Sequence, residues 1–144
     1  MIIPLEVGNF AGSLRIMTHF VLRSEDPKLF LPIRAIVDTG SPLTLIGPAD
    51  IARMRVSKFQ LNNKLEGRPQ PVSVGGGQIS TKILKNAKIK FSNGFETELD
   101  VDFPVKNEEK SVQPSLLGMN FLLETNSKLF FDASTKEAHL EIED

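Results

Sequence analysis

The two runs of alternating residues that flank Asn93-Gly94 constrain the fold more than any other feature of the chain. Ala87, Ile89 and Phe91 alternate into the dipeptide, and Phe95, Thr97, Leu99, Val101 and Phe103 alternate out of it. A period of two places one face of each run on a core, and Asn-Gly is a strong type I′ turn signal, so the segment reads as a β-hairpin. The same period recurs elsewhere. Leu14, Ile16, Phe20 and Leu22 share one phase, and residues 30–37 (FLPIRAIV) are apolar on nearly both phases, as in a strand covered on two sides. Pro32 falls near the start of that run, where a missing donor is tolerated. Pro71 to Leu84 reads as two strands joined by Gly75-Gly76-Gly77, and Ala138, Leu140 and Ile142 alternate at the end of the chain.

Helical signals are brief. Pro48 opens a short helix over residues 49–54, and Gly118 leads SLLG into a second one at MNFLLET. Many short strands with hairpin turns and one or two short helices make an all-β barrel or folded-sheet domain, not a βαβ protein. The 144 residues fit one domain over 1–144. A coarse two-fold echo runs through it: each half offers a strand, a hairpin, and an apolar strand ending at glycine before a short helix.

Composition removes several classes of function. Lysines and arginines (17) nearly balance aspartates and glutamates (18), so no net field draws the chain to nucleic acid or to an anionic membrane. There is no cysteine, hence no disulfide framework and no thiolate site. His19 and His139 lie far apart and outside any ligand-spaced cluster, so they read as ordinary strand residues and no metal is expected. The start, broken by Pro4, Glu6 and Gly8, is no signal peptide, and no run approaches a membrane span, so a cytoplasmic location is expected. The phenylalanines at 91, 95, 103, 121, 130 and 131 read as core.

Chemistry enters at Asp38. The buried strand ending at Val37 runs straight into Asp38-Thr39-Gly40-Ser41, which sets a carboxylate against an apolar interior and follows it with small turn-forming residues. Burying a carboxylate costs several kcal/mol, on the order of 3–5, unless it is hydrogen-bonded or shares a proton. Such a placement points to a function.

An apolar pair followed by Asp38-Thr39-Gly40-Ser41 resembles the signature of the retropepsin-like aspartic proteases, and Leu116-Leu117-Gly118 before a helix resembles the segment that those enzymes pack behind their catalytic loop. With the glycine-rich hairpin between them, the resemblance covers roughly Leu14 to Asp144. It implies a retropepsin-like acid protease barrel in which Asp38 activates water, Thr39 knits two protomers together and Gly40 lets a backbone amide reach the carboxylate. It further implies substrate contacts from Ser41 and from the flap glycines Gly75, Gly76 and Gly77, no cofactor, and a polypeptide substrate. Viral members carry an acid and an arginine where this chain has Pro42 and Met119. The joint absence of both partners leaves no uncompensated charge and fits a cellular branch.

Hydrolysis by this chemistry needs two carboxyls sharing one proton. The chain holds a single Asp-Thr-Gly, so the resemblance implies one protomer of a homodimer whose two-fold axis supplies the second Asp38. Activity is then bell-shaped in pH. The alternative within the same fold is a non-catalytic peptide-binding or dimerisation module. A phosphate loop of an actin-like or kinase-like ATPase also uses Asp-Thr-Gly-Ser, but it needs a far longer chain with a parallel sheet.

Overall fold

The computed structural model describes residues 1–54, 61, 63–74, 77–105 and 113–143. Their elements in chain order are β1 (Ile2–Phe10), β2 (Ser13–Glu25), β3 (Lys28–Val37), β4 (Thr44–Leu45), α1 (Pro48–Ala52), β5 (Glu66–Gly67), β6 (Val72–Val74), β7 (Gly77–Ile79), β8 (Thr81–Lys90), β9 (Glu96–Pro104), β10 (Ser115–Leu117), α2 (Met119–Thr125), β11 (Lys128–Asp132) and β12 (Glu137–Glu141). Gly75 and Gly76 and most of the charged connector at 106–113 lie outside the described residues.

Period-two patterning produces the strands, and their pairing closes a barrel. β2 pairs with β3 from Met17↔Ile36 to Glu25↔Lys28, and β3 runs parallel to β10. β10 is antiparallel to β4, β4 is parallel to β9, β9 is antiparallel to β8, and β8 returns to β2 at Val21↔Lys90. Closure leaves these strands without a free edge and encloses a core of Phe20, Leu22, Ile33, Ala35, Leu84, Ala87, Ile89, Val101 and Phe103. Phe91 anchors one end of that core, with its ring centroid 5.9 Å from Phe20 and 5.5 Å from Phe121.

Three local readings change in the fold. The hairpin at Asn93-Gly94 is not type I′, which needs positive φ at both central residues. Only Gly94 is left-handed (φ 94°), its N–H donates to the Phe91 carbonyl, and the Asn93 side-chain oxygen accepts from the Phe95 N–H. The asparagine therefore serves the turn through its side chain. In β3, coverage on two faces holds only for Ala35, Ile36 and Val37, whereas Phe30 is 71% exposed and Pro32 and Arg34 face outward. Phe130 and Phe131, expected in the core, are 43% and 46% exposed.

The ends of the chain meet each other. β1 pairs antiparallel with β12 over Ile2↔Glu141 to Leu5↔Ala138, then with β2 over Glu6↔Met17 to Phe10↔Ser13. β12 also pairs with β11, so the tail adds a three-stranded layer beside the barrel. Both histidines sit on this side. His19 Nε2 lies 3.1 Å from Glu6 Oε2, Arg34 donates to Glu6 Oε1, and these bonds hold the Glu6 carboxyl below its ordinary value. His139 stacks on Phe130 at 4.8 Å. Among the described residues no cluster of His, Asp or Glu could hold a metal, and no helix is long and apolar enough to cross a membrane.

Candidate active site

Asp38 is the first residue beyond β3, where the barrel strand runs out into a tight turn. Its backbone N–H donates to the Leu117 carbonyl at 3.0 Å, which extends the parallel β3–β10 ladder by one rung. Its carbonyl accepts from the Ser41 N–H at 3.2 Å and closes the turn. The Gly40 N–H donates to Asp38 Oδ1 at 2.9 Å. A Cβ on residue 40 would stand 3.2 Å from that same oxygen, so glycine allows the amide its close approach. One carboxylate oxygen is thereby held by the backbone, and Asp38 is half-buried at the mouth of the turn.

The loop rests on β10 and α2. The Met119 N–H donates to the Ser41 carbonyl at 2.8 Å, and the Gly118 N–H donates to Thr44 Oγ1 at 3.2 Å. Thr44 in turn donates to Asn120 Oδ1 at 2.8 Å, while Asn120 Nδ2 donates to the Asp100 carbonyl at 3.0 Å. These bonds lock α2 against β4 and β9, beneath the turn that carries Asp38. Gly118 permits it, since a Cβ there would fall 2.0 Å from the Leu43 oxygen. The first half mirrors this: Gly47 approaches the backbone of residues 113–115 so closely that a Cβ would lie 2.5 Å from the Gln113 oxygen, and its N–H donates to Ser115 Oγ at 2.8 Å. The two-fold echo in the sequence thus has a physical counterpart, each half's glycine seated on the backbone that leads into the other half's short strand, residues 41–43 before β4 and 113–115 at the start of β10.

The residues expected from sequence fall in different places. Asp38, Thr39 and Gly40 lie together, Thr39 and Gly40 being exposed. Ser41, expected at the substrate, is fully buried, and its hydroxyl donates to the Leu43 carbonyl at 2.7 Å. It supports the loop from within because the turn closed by its own N–H points its side chain inward. Gly77 is exposed on the two-stranded β6–β7 ribbon, with φ 137° and paired to Val74. Gly75 and Gly76, between those strands, are not among the described residues.

Sequence reasoning passed over Asp102. By alternation it belongs to the outward phase of β9, yet it is 1% exposed, because Arg68 Nε and Nη2 cover its Oδ2 and Oδ1 with bonds of 2.8 and 3.0 Å and the Thr81 hydroxyl donates to the same Oδ2. Arg68 precedes the β6–β7 ribbon and Thr81 follows it, so both feet of the ribbon are fixed to one buried carboxylate. Hydrogen bonding to Asp102 raises the Arg68 guanidinium above its ordinary value. The signal available was an acid between two core residues, Val101 and Phe103, its arginine partner lying 34 residues earlier between β5 and β6. Arg68→Met should lower stability by about 3–5 kcal/mol, because it strands a buried charge. Asp102→Asn should cost less, since Arg68 is one-third exposed and can turn to water. Urea unfolding of the two variants checks the order, and equal losses would contradict it.

Comparison with known proteins agrees with this geometry. Among solved structures, EIAV protease complexed with the inhibitor HBY-793 superposes with a TM-score of 0.56 at 15% identity, over 86% of this chain and 100% of that one. A retropepsin-like aspartic protease from Rickettsia conorii gives a TM-score of 0.56 at 15% identity, over 97% of this chain and 90% of the other. The barrel is therefore of the retropepsin-like type. The aspartyl protease family model matches residues 30–121, and the chain belongs to that family. A search of the curated proteins finds no match.

Proposed function

We propose that this chain is an aspartic endopeptidase that cuts extended or unfolded polypeptides, active as a homodimer with Asp38 contributed by each copy. The observation that carries the reading is the Asp38 turn itself: an acid at the end of a barrel strand, with one oxygen held by the Gly40 amide and the whole turn braced on Gly118 and Met119. A carboxylate so held is oriented before substrate arrives, which is what proton transfer in a confined site requires. In the dimer the two Asp38 carboxyls share one proton. The ionised one takes a proton from water as the oxygen attacks the scissile carbonyl, and the protonated one donates to the carbonyl oxygen. Collapse of the tetrahedral adduct returns a proton to the leaving amine, so the pair ends in its starting state with no cofactor.

Substrate lies extended beneath the β6–β7 ribbon and adds its backbone to a strand edge, with alternate side chains directed into pockets. Gly77 gives the ribbon a backbone that a ligand can approach closely. The Arg68–Asp102–Thr81 bonds fix both feet of the ribbon to one buried carboxylate.

The reading is tested by incubating the protein with a diverse peptide library from acidic to neutral pH and identifying products by mass spectrometry. Internal cleavage with a bell-shaped pH dependence is the expected result. A folded dimer that binds peptides without cutting any of them would leave a peptide-binding module in its place.

A further inference from the structure

Along β2, β3 and β8 the residues that fill the core, Phe20, Leu22, Leu31, Ile33 and Ile89, alternate with residues that face outward together. The registers set those outward residues in rows: Lys88, Arg23 and Phe30 in one, Lys90, Val21 and Pro32 in the next. On β3, Lys28 precedes the first row and Arg34 follows the second. The face is thus an apolar strip of Phe30, Pro32 and Val21 with cations around it, and Phe30 is 71% exposed. Two open cavities of about 450 and 500 Å³ lie over it and meet at Pro32 and Arg53, which line both. Arg53 is fixed at the junction, since it donates to the Pro32 carbonyl at 2.8 Å and pairs with Asp50. Glu6 is taken by His19 and Arg34, Glu25 faces Lys28, and Glu96 and Glu98 face Lys90 and Lys88 from β9. Even so, among the described residues Arg23, Lys28, Lys88 and Lys90 form no ion pair.

We propose that this face binds an extended acidic segment of the polypeptide substrate, whose carboxylates meet Arg23, Lys28 and Lys90 and whose apolar side chains lie on Phe30, Val21 and Pro32. An exposed apolar patch rimmed by charge marks an interaction surface. Its length selects the occupant. From Lys28 to Arg34 the strand covers about 20 Å at about 3.3 Å per residue, so a compact anion fills one cavity whereas an extended peptide occupies both. An extended peptide also repeats its side chains on one face every ~6.6 Å, the interval that separates Lys28, Phe30, Pro32 and Arg34 along β3. The unpaired cations select acid over base, because a basic segment is repelled and a carboxylate gains an opposite charge. The inference rests on the endopeptidase reading, which makes the bound segment part of a substrate. Asp38 stands four residues beyond Arg34, about 13 Å at the rise of a strand, so the acidic segment is held outside the scissile bond and raises the local concentration of the rest of its chain.

The probe is a blocked seven-residue peptide with glutamate first and last, leucine third and fifth, and serine between. Calorimetric titration into the full chain carrying Asp38→Asn, which leaves the probe uncut, should show one site per chain. Replacing both glutamates by glutamine should raise Kd about tenfold or more, and so should Phe30→Ala, or Arg23→Glu combined with Lys90→Glu, in the protein. A probe with lysine in place of glutamate should bind the charge-reversed protein more tightly than it binds the wild-type face. No binding of the glutamate probe, equal binding of the glutamine probe, or indifference to both protein variants would overturn the site. Octanoate binding as tightly as the probe would give the face to a small amphipathic anion instead. Cleavage supplies the second readout. Attaching the acidic segment to a cleavable peptide through ten glycine and serine residues, a reach of about 17 Å, should lower KM about tenfold and leave kcat unchanged. The charge-reversed protein should lose that gain while cutting the plain peptide as the wild type does. No fall in KM with the segment at either end would overturn its part in substrate recognition. Probe binding by a protein that cuts no peptide would sink the endopeptidase and keep the site, and Asp38-dependent cleavage without probe binding would do the reverse.

Discussion

On the proposed reading, Asp38→Asn should abolish measurable peptide cleavage and leave the fold standing. Asparagine keeps an oxygen where Asp38 Oδ1 accepts the Gly40 N–H at 2.9 Å, so the turn retains its internal bond and the backbone bonds to Leu117 and Ser41 do not involve the side chain. What disappears is the ability to take and return a proton. General acid–base catalysis contributes about 10²–10⁴-fold in rate, and the proposed homodimer would lose both participants at once, so kcat/KM should fall by at least that factor. Urea unfolding and the dimer dissociation constant serve as controls and should change little. Mixed dimers sharpen the expectation. If each site needs both carboxyls, random exchange of equal amounts of wild type and variant leaves only about a quarter of the dimers active, whereas a single-acid mechanism leaves about half or more. Activity in the pure variant within tenfold of wild type would remove Asp38 from the chemistry.

Much of this was legible because strand periodicity and turn chemistry are local. Alternation from Ala87 to Phe103 found β8 and β9, and the buried run before Asp38 found β3, since both patterns are written in consecutive residues. Asp38-Thr39-Gly40 and Leu116-Leu117-Gly118 marked the two segments that the fold presses together, although their contact, the parallel pairing of β10 with β3, is non-local and left no pattern in either strand. What escaped depended on partners distant in the chain. Ser41 looked like a site residue until the turn directed its hydroxyl to Leu43, and Asp102 drew no reading at all, because the Arg68 and Thr81 that cover it lie far from it in the chain. Phe130 and Phe131 read as core because apolar residues in a strand usually are, and nothing in the sequence announced that β11 would be the last strand of its sheet. The bracing bonds among Thr44, Asn120 and Gly118 were equally invisible, since 76 residues separate the first two.

Gly118→Ala is expected to be the most damaging glycine-to-alanine change among the described residues. Its backbone, at φ −100° and ψ −171°, suits alanine without strain, so the whole effect is steric. The new Cβ would stand 2.0 Å from the Leu43 oxygen, 2.5 Å from its carbon and 2.8 Å from the Ser41 oxygen, all of them backbone atoms that cannot swing aside as a side chain can. Relief requires moving β10 and α2 away from the loop at 41–43, which breaks the Met119 to Ser41 bond and the Gly118 to Thr44 bond together. Overpacking against side chains costs about 1–3 kcal/mol, and against fixed backbone with loss of two buried hydrogen bonds about 4 kcal/mol or more. Gly67→Ala provides the contrast, because nothing lies within 4 Å of its would-be Cβ. That variant should match wild type within about 1 kcal/mol. Denaturant midpoints of the two variants decide the matter, and a stable Gly118→Ala protein would mean that the strand carrying Leu116 and Leu117 does not press on the Asp38 loop as closely as the fold requires.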